Sequence, residues 1–161
     1  MSERTHVGIA EVRTSREPTE VLFSSNLGSC VGVAIFDPKI AMAGLIHCLL
    51  PMSQSDLEKA QRNPSMYVDT GVVQLLNEFI QGGSNKKDLQ IVVAGGSQIN
   101  DEGGVFEIGK KNYTVLRKVL WKNNLLIKAE NVGGSVSRTL SIHVGTGEVW
   151  LRINGENSRL A

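Results

Sequence analysis

Apolar residues recur along this chain at two spacings, and each spacing predicts a kind of element. Val31 to Phe36 and Ala41 to Leu50 are nearly continuous apolar runs rich in branched side chains. Asp37-Pro38-Lys39-Ile40 separates them, so they read as two strands around a short turn. Between Val68 and Ile80 the residues Val72, Val73, Leu75, Leu76, Phe79 and Ile80 line one face of a helix, which Gly82-Gly83 ends. Leu89 to Ala94 is a short buried strand running into Gly95-Gly96. Val115, Leu116, Val119 and Leu120 return to helical spacing within Asn112 to Trp121. Leu125 to Ala129 reads as a strand before the break at Gly133-Gly134. Thr139 to Val144 and Glu148 to Ile153 alternate on either side of Gly145-Thr146-Gly147, as an antiparallel hairpin does. The polar stretch from Met52 to Ser65, flanked by Pro51 and held by Pro64, reads as a surface loop with room for one helical turn.

Strands at both ends with two main helices and a strand between them place the chain in the α/β class, helices covering one side of a mixed sheet. The early strand pair needs cover of its own, which makes a layered α/β/β sandwich the expected architecture. The 161 residues suit one domain with a core that needs no staples. The expectation is a single domain over 1–161, with flexible ends at 1–6 and 155–161.

Composition narrows the partners. Apolar residues make up 41% of the chain, which separates it from disordered sequences. Seventeen Lys and Arg against sixteen Asp and Glu leave a net charge of +1, so no nucleic acid and no acidic membrane surface is called for. Lys110-Lys111 is too short a pair to count as a patch and reads as a solvated helix end. The N-terminal MSERTHVGIA carries no long apolar run, so neither export nor membrane insertion is expected. A cytoplasmic protein keeps its thiols reduced, which makes Cys30 and Cys48 thiols first and a disulfide only second.

The chemistry concentrates between Ser24 and Pro51, SSNLGSCVGVAIFDPKIAMAGLIHCLLP. If the turn centres on Pro38-Lys39, Cys30 stands opposite His47. Their Cβ atoms would then lie roughly 4.5–5.5 Å apart on one face, close enough to share a proton. The same register turns Cys48 to the other face among Ile46, Leu49 and Leu50, as a small core residue unable to bridge to Cys30. Gly28-Ser29 lets the chain turn tightly before the strand, and peptide N–H groups without ladder partners there can bind an oxyanion. A nearby imidazole favours the Cys30 thiolate, and thiolate attack on a carboxamide expels ammonia through a thioester, with His47 as general base and acid.

A third group must orient the imidazole, and Ser24 and Ser25 are near enough in sequence. Zinc suits the set less well, because Cys30, His47 and Cys48 lack paired Cys-x-x-Cys spacing. No metal or organic cofactor is needed. His6 sits in an edge or flexible segment, and His143 reads as structural within its strand. Ala94 to Asn100, AGGSQIN, is a tight Gly-rich loop beside a pocket and not a Walker motif. Against catalysis stand the plainer readings of a core cysteine and a satisfied strand histidine, and other thiol enzymes, a peptidase or a transglutaminase, share the thioester chemistry.

LGSCVGVAIFDP followed by AGLIHCLLP resembles the signature of CheD, the chemoreceptor glutamine deamidase family of bacterial and archaeal chemotaxis. YVDTGVVQLL, AGGSQI, FEIGKKN, NVGGSVSR and TGEVWLR continue the resemblance from about Val7 to Arg152. It implies a layered α/β/β fold like that of the catalytic part of cytotoxic necrotizing factor toxins. It also implies hydrolysis of selected glutamine side chains in receptor cytoplasmic domains to glutamate. The family nucleophile corresponds to Cys30 and the family base to His47. The family's usual Thr, six residues before the Cys, corresponds to Ser24, which keeps the hydroxyl and loses the methyl. Asn131 stands where the family often has Asp, a departure that bears on packing more than on chemistry. The resemblance further implies a partner, the CheC phosphatase, and with it an alternative in which the chain is chiefly a regulator that binds CheC.

Overall fold

The computed structural model describes residues 3–98 and 107–161, so Ile99, Asn100 and Phe106 of the motifs above lie outside the described residues. The strands are β1 (Glu3–His6), β2 (Val12–Ser15), β3 (Glu20–Leu27), β4 (Val31–Asp37), β5 (Met42–Cys48), β6 (Gln90–Gly95), β7 (Ile127–Val132), β8 (Arg138–His143), β9 (Val149–Ile153) and β10 (Glu156–Arg159). The helices are α1 (Leu57–Arg62), α2 (Val68–Gln81) and α3 (Ile108–Lys122). Two mixed five-stranded sheets result, in the orders β1-β3-β8-β9-β10 and β2-β5-β4-β6-β7. In each, one neighbouring pair is parallel, β1 with β3 and β6 with β7.

The layers follow from which face each strand makes apolar. Strands β4 and β5 are buried at every position, so both faces of their sheet need cover. One face, with Val31, Val33, Ile35, Ile46 and Cys48, packs under Val72, Leu75 and Phe79 of α2 and Leu116 and Leu120 of α3. The other, with Ala34, Phe36, Ala43 and Leu45, packs on Leu22 and Leu27 of β3, Leu140 and Ile142 of β8 and Leu151 of β9. The order is helices, sheet, sheet, which is the expected α/β/β sandwich. No helix among the described residues is long and apolar enough to cross a membrane.

Two local expectations change, at the ends and at the β4–β5 turn, and one, at the Met52–Ser65 loop, holds. The ends expected to be flexible include strands: Glu3–His6 pairs with Glu20–Phe23, and Glu156–Arg159 pairs with β9. Both segments are polar edge strands held by backbone pairing, so no apolar alternation marks them. The Met52–Ser65 loop contains the six-residue helix α1, capped by Asp56, whose side chain accepts from the Lys59 N–H at 3.1 Å. The β4–β5 turn lies one residue further along the chain than expected, because the last pair is Asp37 with Met42. Ala41 takes a left-handed conformation there, and the Asp37 carboxylate accepts from the Lys39 N–H and the Ser84 hydroxyl.

Candidate active site

Moving the turn's centre by one residue moves the register by two from the expected one. His47 stands opposite Gly32 and Val31 opposite Cys48, so Cys30 and His47 are not direct partners. Extending that register by one residue sets Cys30 beside Leu49, on a diagonal to His47, where Cβ atoms lie about 7–8 Å apart or somewhat less. A slip of two preserves the face on which a side chain falls, whereas a slip of one reverses it. Cys30 therefore shares the inter-sheet face with His47, and Cys48 lies under the helices, as expected. Both thiols are free. Burial pushes the Cys48 thiol far up, with Cys30 and Asp69 adding to the effect.

Ser24 reaches the same space from the opposite sheet. It is fully buried on β3, as is His47 on β5, and its Oγ lies 2.7 Å from His47 Nδ1. Ser24 also donates to the Val7 carbonyl at 2.5 Å, where the chain crosses from β1 to β2. A carbonyl only accepts, so the single hydroxyl proton is committed to Val7 and Ser24 must accept from His47 Nδ1–H. The imidazole is thus the Nδ1–H tautomer, and Nε2 carries the lone pair. Nε2 is buried and has no hydrogen-bond partner among the described residues. The backbone of His47 is pinned as well: its N–H donates to Glu11 and its carbonyl accepts from Ala10.

A bulge between Ser24 and Leu27 carries the chain from β3 toward β4. Asn26 within β3 is left-handed, with φ 61°, and the chain then bends at Gly28, Ser29 and Cys30, where the turn was expected. The Cys30 segment is then laced to its surroundings through its carbonyls. Gly28 accepts from Ser97 N–H at 2.8 Å and Cys30 from Gly96 N–H at 2.8 Å. Ser29 accepts from Asn112 Nδ2 at 2.9 Å. No carbonyl among the described residues accepts from the N–H of Ser29 or Cys30.

Burial sets the protonation states. Cys30 is 6% exposed, and desolvation raises its thiol pKa, offset in part by its own peptide N–H. Burial lowers His47 to about 4, and the charge of His6 adds to that. The expectation that the imidazole would hold Cys30 as a thiolate is thus corrected. At neutral pH the resting pair is a thiol and a neutral imidazole, because neither charge is solvated.

Gly95 and Gly96 both adopt positive φ and bring residues 95–97 of the AGGSQIN motif under the Cys30 segment. Beyond Gly96 lies a cleft of about 350 Å³ lined by Gln98, Glu107, Lys110, Tyr113 and Gly133, so the loop does border a pocket. A Cβ on Gly95 would meet the Cys30 carbonyl oxygen at 2.2 Å, a backbone contact no rotamer relieves. Gly95→Ala is expected to cost about 3 kcal/mol, read as a fall in the urea midpoint. Arg138 supports this loop from beneath, donating to Ser97 Oγ at 2.6 Å and to the Gly133 carbonyl and Asn131 Oδ1, both at 2.8 Å. Asn131 thus serves local packing and leaves the nearly buried guanidinium with neutral acceptors.

Asn112 escapes a reading based on apolar spacing, although a signal for it exists. It heads the buried stripe Asn112, Leu116, Leu120 of α3, and a fully buried amide in an apolar stripe asks for partners. His143 is half-buried on β8 and lines a groove of about 650 Å³ on the outer sheet face with Arg4, Phe23 and Trp150, remote from the inter-sheet core. His6 is exposed and tilts against Phe23.

The model of the family described as CheD chemotactic sensory transduction matches residues 49–153. A Solibacter usitatus protein is 42% identical over 98% of this chain and 94% of its own. The chain belongs to the CheD family. That relative is described as a probable chemoreceptor glutamine deamidase CheD. A Syntrophus aciditrophicus protein, described as a probable chemoreceptor glutamine deamidase CheD 1, is 40% identical over 92% of this chain and 93% of its own. Another from Haloarcula marismortui, also described as a probable CheD, is 35% identical over 90% and 82%. The solved Bacillus licheniformis protein YfiH overlaps 75% of this chain and 49% of its own at 15% identity, with a TM-score of 0.49, too slight a likeness to bear on the chemistry.

Proposed function

We propose that this CheD-family chain is a single-domain, cytoplasmic cysteine amidohydrolase that converts glutamine side chains in the cytoplasmic parts of chemoreceptors to glutamate. One observation carries the reading: the proton inventory around Ser24 leaves His47 Nε2 as a bare, buried lone pair on the face that Cys30 shares. The names of the relatives supply the substrate.

In this reading Nε2 takes the Cys30 thiol proton as Sγ bonds to the carboxamide carbon, and the carbonyl electron pair moves to oxygen. The oxyanion faces the Ser29 and Cys30 N–H groups, which meet no carbonyl among the described residues. His47 returns the proton to the amide nitrogen, the C–N bond breaks, and ammonia leaves a thioester. A water molecule then gives a proton to Nε2 and its oxygen to the carbonyl carbon. The C–S bond breaks, and Sγ regains its proton as glutamate departs. Since the resting pair is neutral, proton transfer accompanies attack instead of preceding it.

Ser24 holds the tautomer. Ser24→Ala removes the acceptor for Nδ1–H and the donor to Val7, and lets the ring protonate on the wrong nitrogen. A fall in kcat of about 10-fold or more is expected, with Ser24→Thr retaining most activity because it keeps the hydroxyl.

The test is to incubate the protein with a chemoreceptor cytoplasmic fragment and follow ammonia and intact mass. Ammonia with a gain of about 1 Da per site on an uncut chain supports deamidation, whereas fragments would indicate a peptidase. A folded protein that modifies no receptor fragment would instead favour the regulatory reading, in which the chain binds a CheC-type phosphatase. The 6% exposure of Cys30 gives that reading its support.

A further inference from the structure

We infer that Asn112 is a positioning residue for the oxyanion step, aiming the Cys30 peptide N–H at the oxygen of the attacked carbonyl. The inference rests on the deamidase reading and extends it to a residue outside the Cys-His-Ser set.

The geometry begins with the amide itself. Asn112 Nδ2 lies 2.9 Å from the Ser29 carbonyl oxygen and 3.1 Å from that of Leu49. Both are acceptors only, so the nitrogen of the carboxamide must face them and its orientation is not open to a flip. One NH2 group therefore ties the segment leading into β4 to the chain leaving β5.

The tie sets the direction of a second group. The Ser29–Cys30 peptide is planar and trans, as no cis bond occurs among the described residues. In a trans peptide the C=O and N–H point in opposite directions. Holding the Ser29 oxygen on α3 thus turns the Cys30 N–H away from α3. That N–H meets no carbonyl among the described residues, yet it lies near enough to its own sulphur to lower the thiol pKa. A carbonyl carbon bonded to Sγ would place its oxygen in the same neighbourhood. The bond from Ser97 N–H to the Gly28 oxygen orients the Ser29 N–H by the same rule.

Asn112 is fully buried, and its Oδ1 has no partner among the described residues. An unmatched buried acceptor is destabilising, a cost that a side chain serving only to fill the α3 stripe would avoid. Leucine at this position would extend the apolar series of Leu116 and Leu120 and leave two carbonyls unheld.

The test compares wild type with Asn112→Ala and Asn112→Ser, each confirmed folded by circular dichroism, in two assays. Deamidation of a receptor fragment needs the oxyanion donor, while alkylation of Cys30 by iodoacetamide forms no oxyanion. The expected result is a fall in kcat of about 10–100-fold, with KM and the alkylation rate each within about twofold of wild type. Unchanged kcat overturns the inference, as does a parallel fall in alkylation, which would make Asn112 a prop for the thiol.

A measurement on wild type guards against variants that do not fold. A glutamine-side-chain aldehyde peptide should cap Cys30 as a hemithioacetal and move the Cys30 amide proton downfield by NMR. An unmoved signal in the capped protein overturns the inference as well. Absence of ammonia from wild type is a separate failure, since it removes the deamidase reading and this extension together.

Discussion

Cys30→Ala is expected to abolish ammonia release from chemoreceptor fragments, a loss of at least about 10⁴-fold, while the protein stays folded. Without sulphur no thioester forms, and the remaining N–H donors bind a carboxamide that nothing attacks. The stability change should stay below about 1.5 kcal/mol, because a buried cysteine acts as a small apolar side chain. Cys30→Ser should be nearly as inactive, since its hydroxyl is a far weaker acid and His47, with a pKa of about 4, is a weak base. Cys48→Ala gives the contrast, because Cys48 lies on the helix side of the same sheet. It should keep kcat within about threefold. Ammonia release that survives Cys30→Ala and disappears in Cys48→Ala would reverse the assignment of the nucleophile.

The second large effect is the response to acid, and it too begins at a buried side chain. His47 is neutral in both the folded and the unfolded chain above pH 6.5, so it contributes no pH dependence there. As pH falls below 6.5, the unfolded chain takes up a proton that the folded chain refuses until about pH 4. The unfolded state binds more protons throughout that window, so stability falls with pH, by about 3 kcal/mol in total. Urea denaturation of wild type and His47→Asn at pH 7.5 and pH 4 isolates the effect, because other titrating groups are common to both. The stability difference between the two proteins should move by about 3 kcal/mol in favour of the variant at the lower pH. In the active protein, the acid limb of kcat/KM should fall near pH 4, where the base protonates. A limb near pH 6.5 would mean that the imidazole is solvated in the working enzyme. His47→Asn itself should lower kcat by about 10³-fold.

Both expectations rest on a site whose parts differ in how plainly the sequence announces them. The face assignment survived an error in register. A turn centred on Pro38-Lys39 would set Cys30 against His47, but the Pro38 to Ala41 loop is centred one residue later and moves the pairing by two. A strand alternates with period two, so an even slip leaves every side chain on its face. Cys30 and His47 thus share a face, and Cys48 is excluded from it, in either register. The helix over Val68–Gln81 and the hairpin of β8 and β9 were equally legible, since one apolar face in each repeats at the period of its element. By contrast β1, β2 and β10, with sequences ERTH, VRTS and ENSR, show little apolar pattern. Each is an edge strand, held chiefly by the backbone of its neighbour.

By itself the sequence determined which residues can react and which side of a strand each occupies, because residue type and period-two alternation are local properties. It also offered Ser24, by nearness in sequence and by resemblance, as the group that orients His47, without reaching its second partner, the Val7 carbonyl. The tertiary structure alone decided the contact of Ser24 on one sheet with His47 on the other, and through the Val7 carbonyl it decided the tautomer. It decided that thiol and imidazole rest uncharged, because desolvation depends on everything packed around them. It brought Asn112 to the Ser29 carbonyl across 83 residues of chain. Such contacts join positions remote in sequence, and only the closing of the two sheets and the docking of α3 brings them within bonding distance.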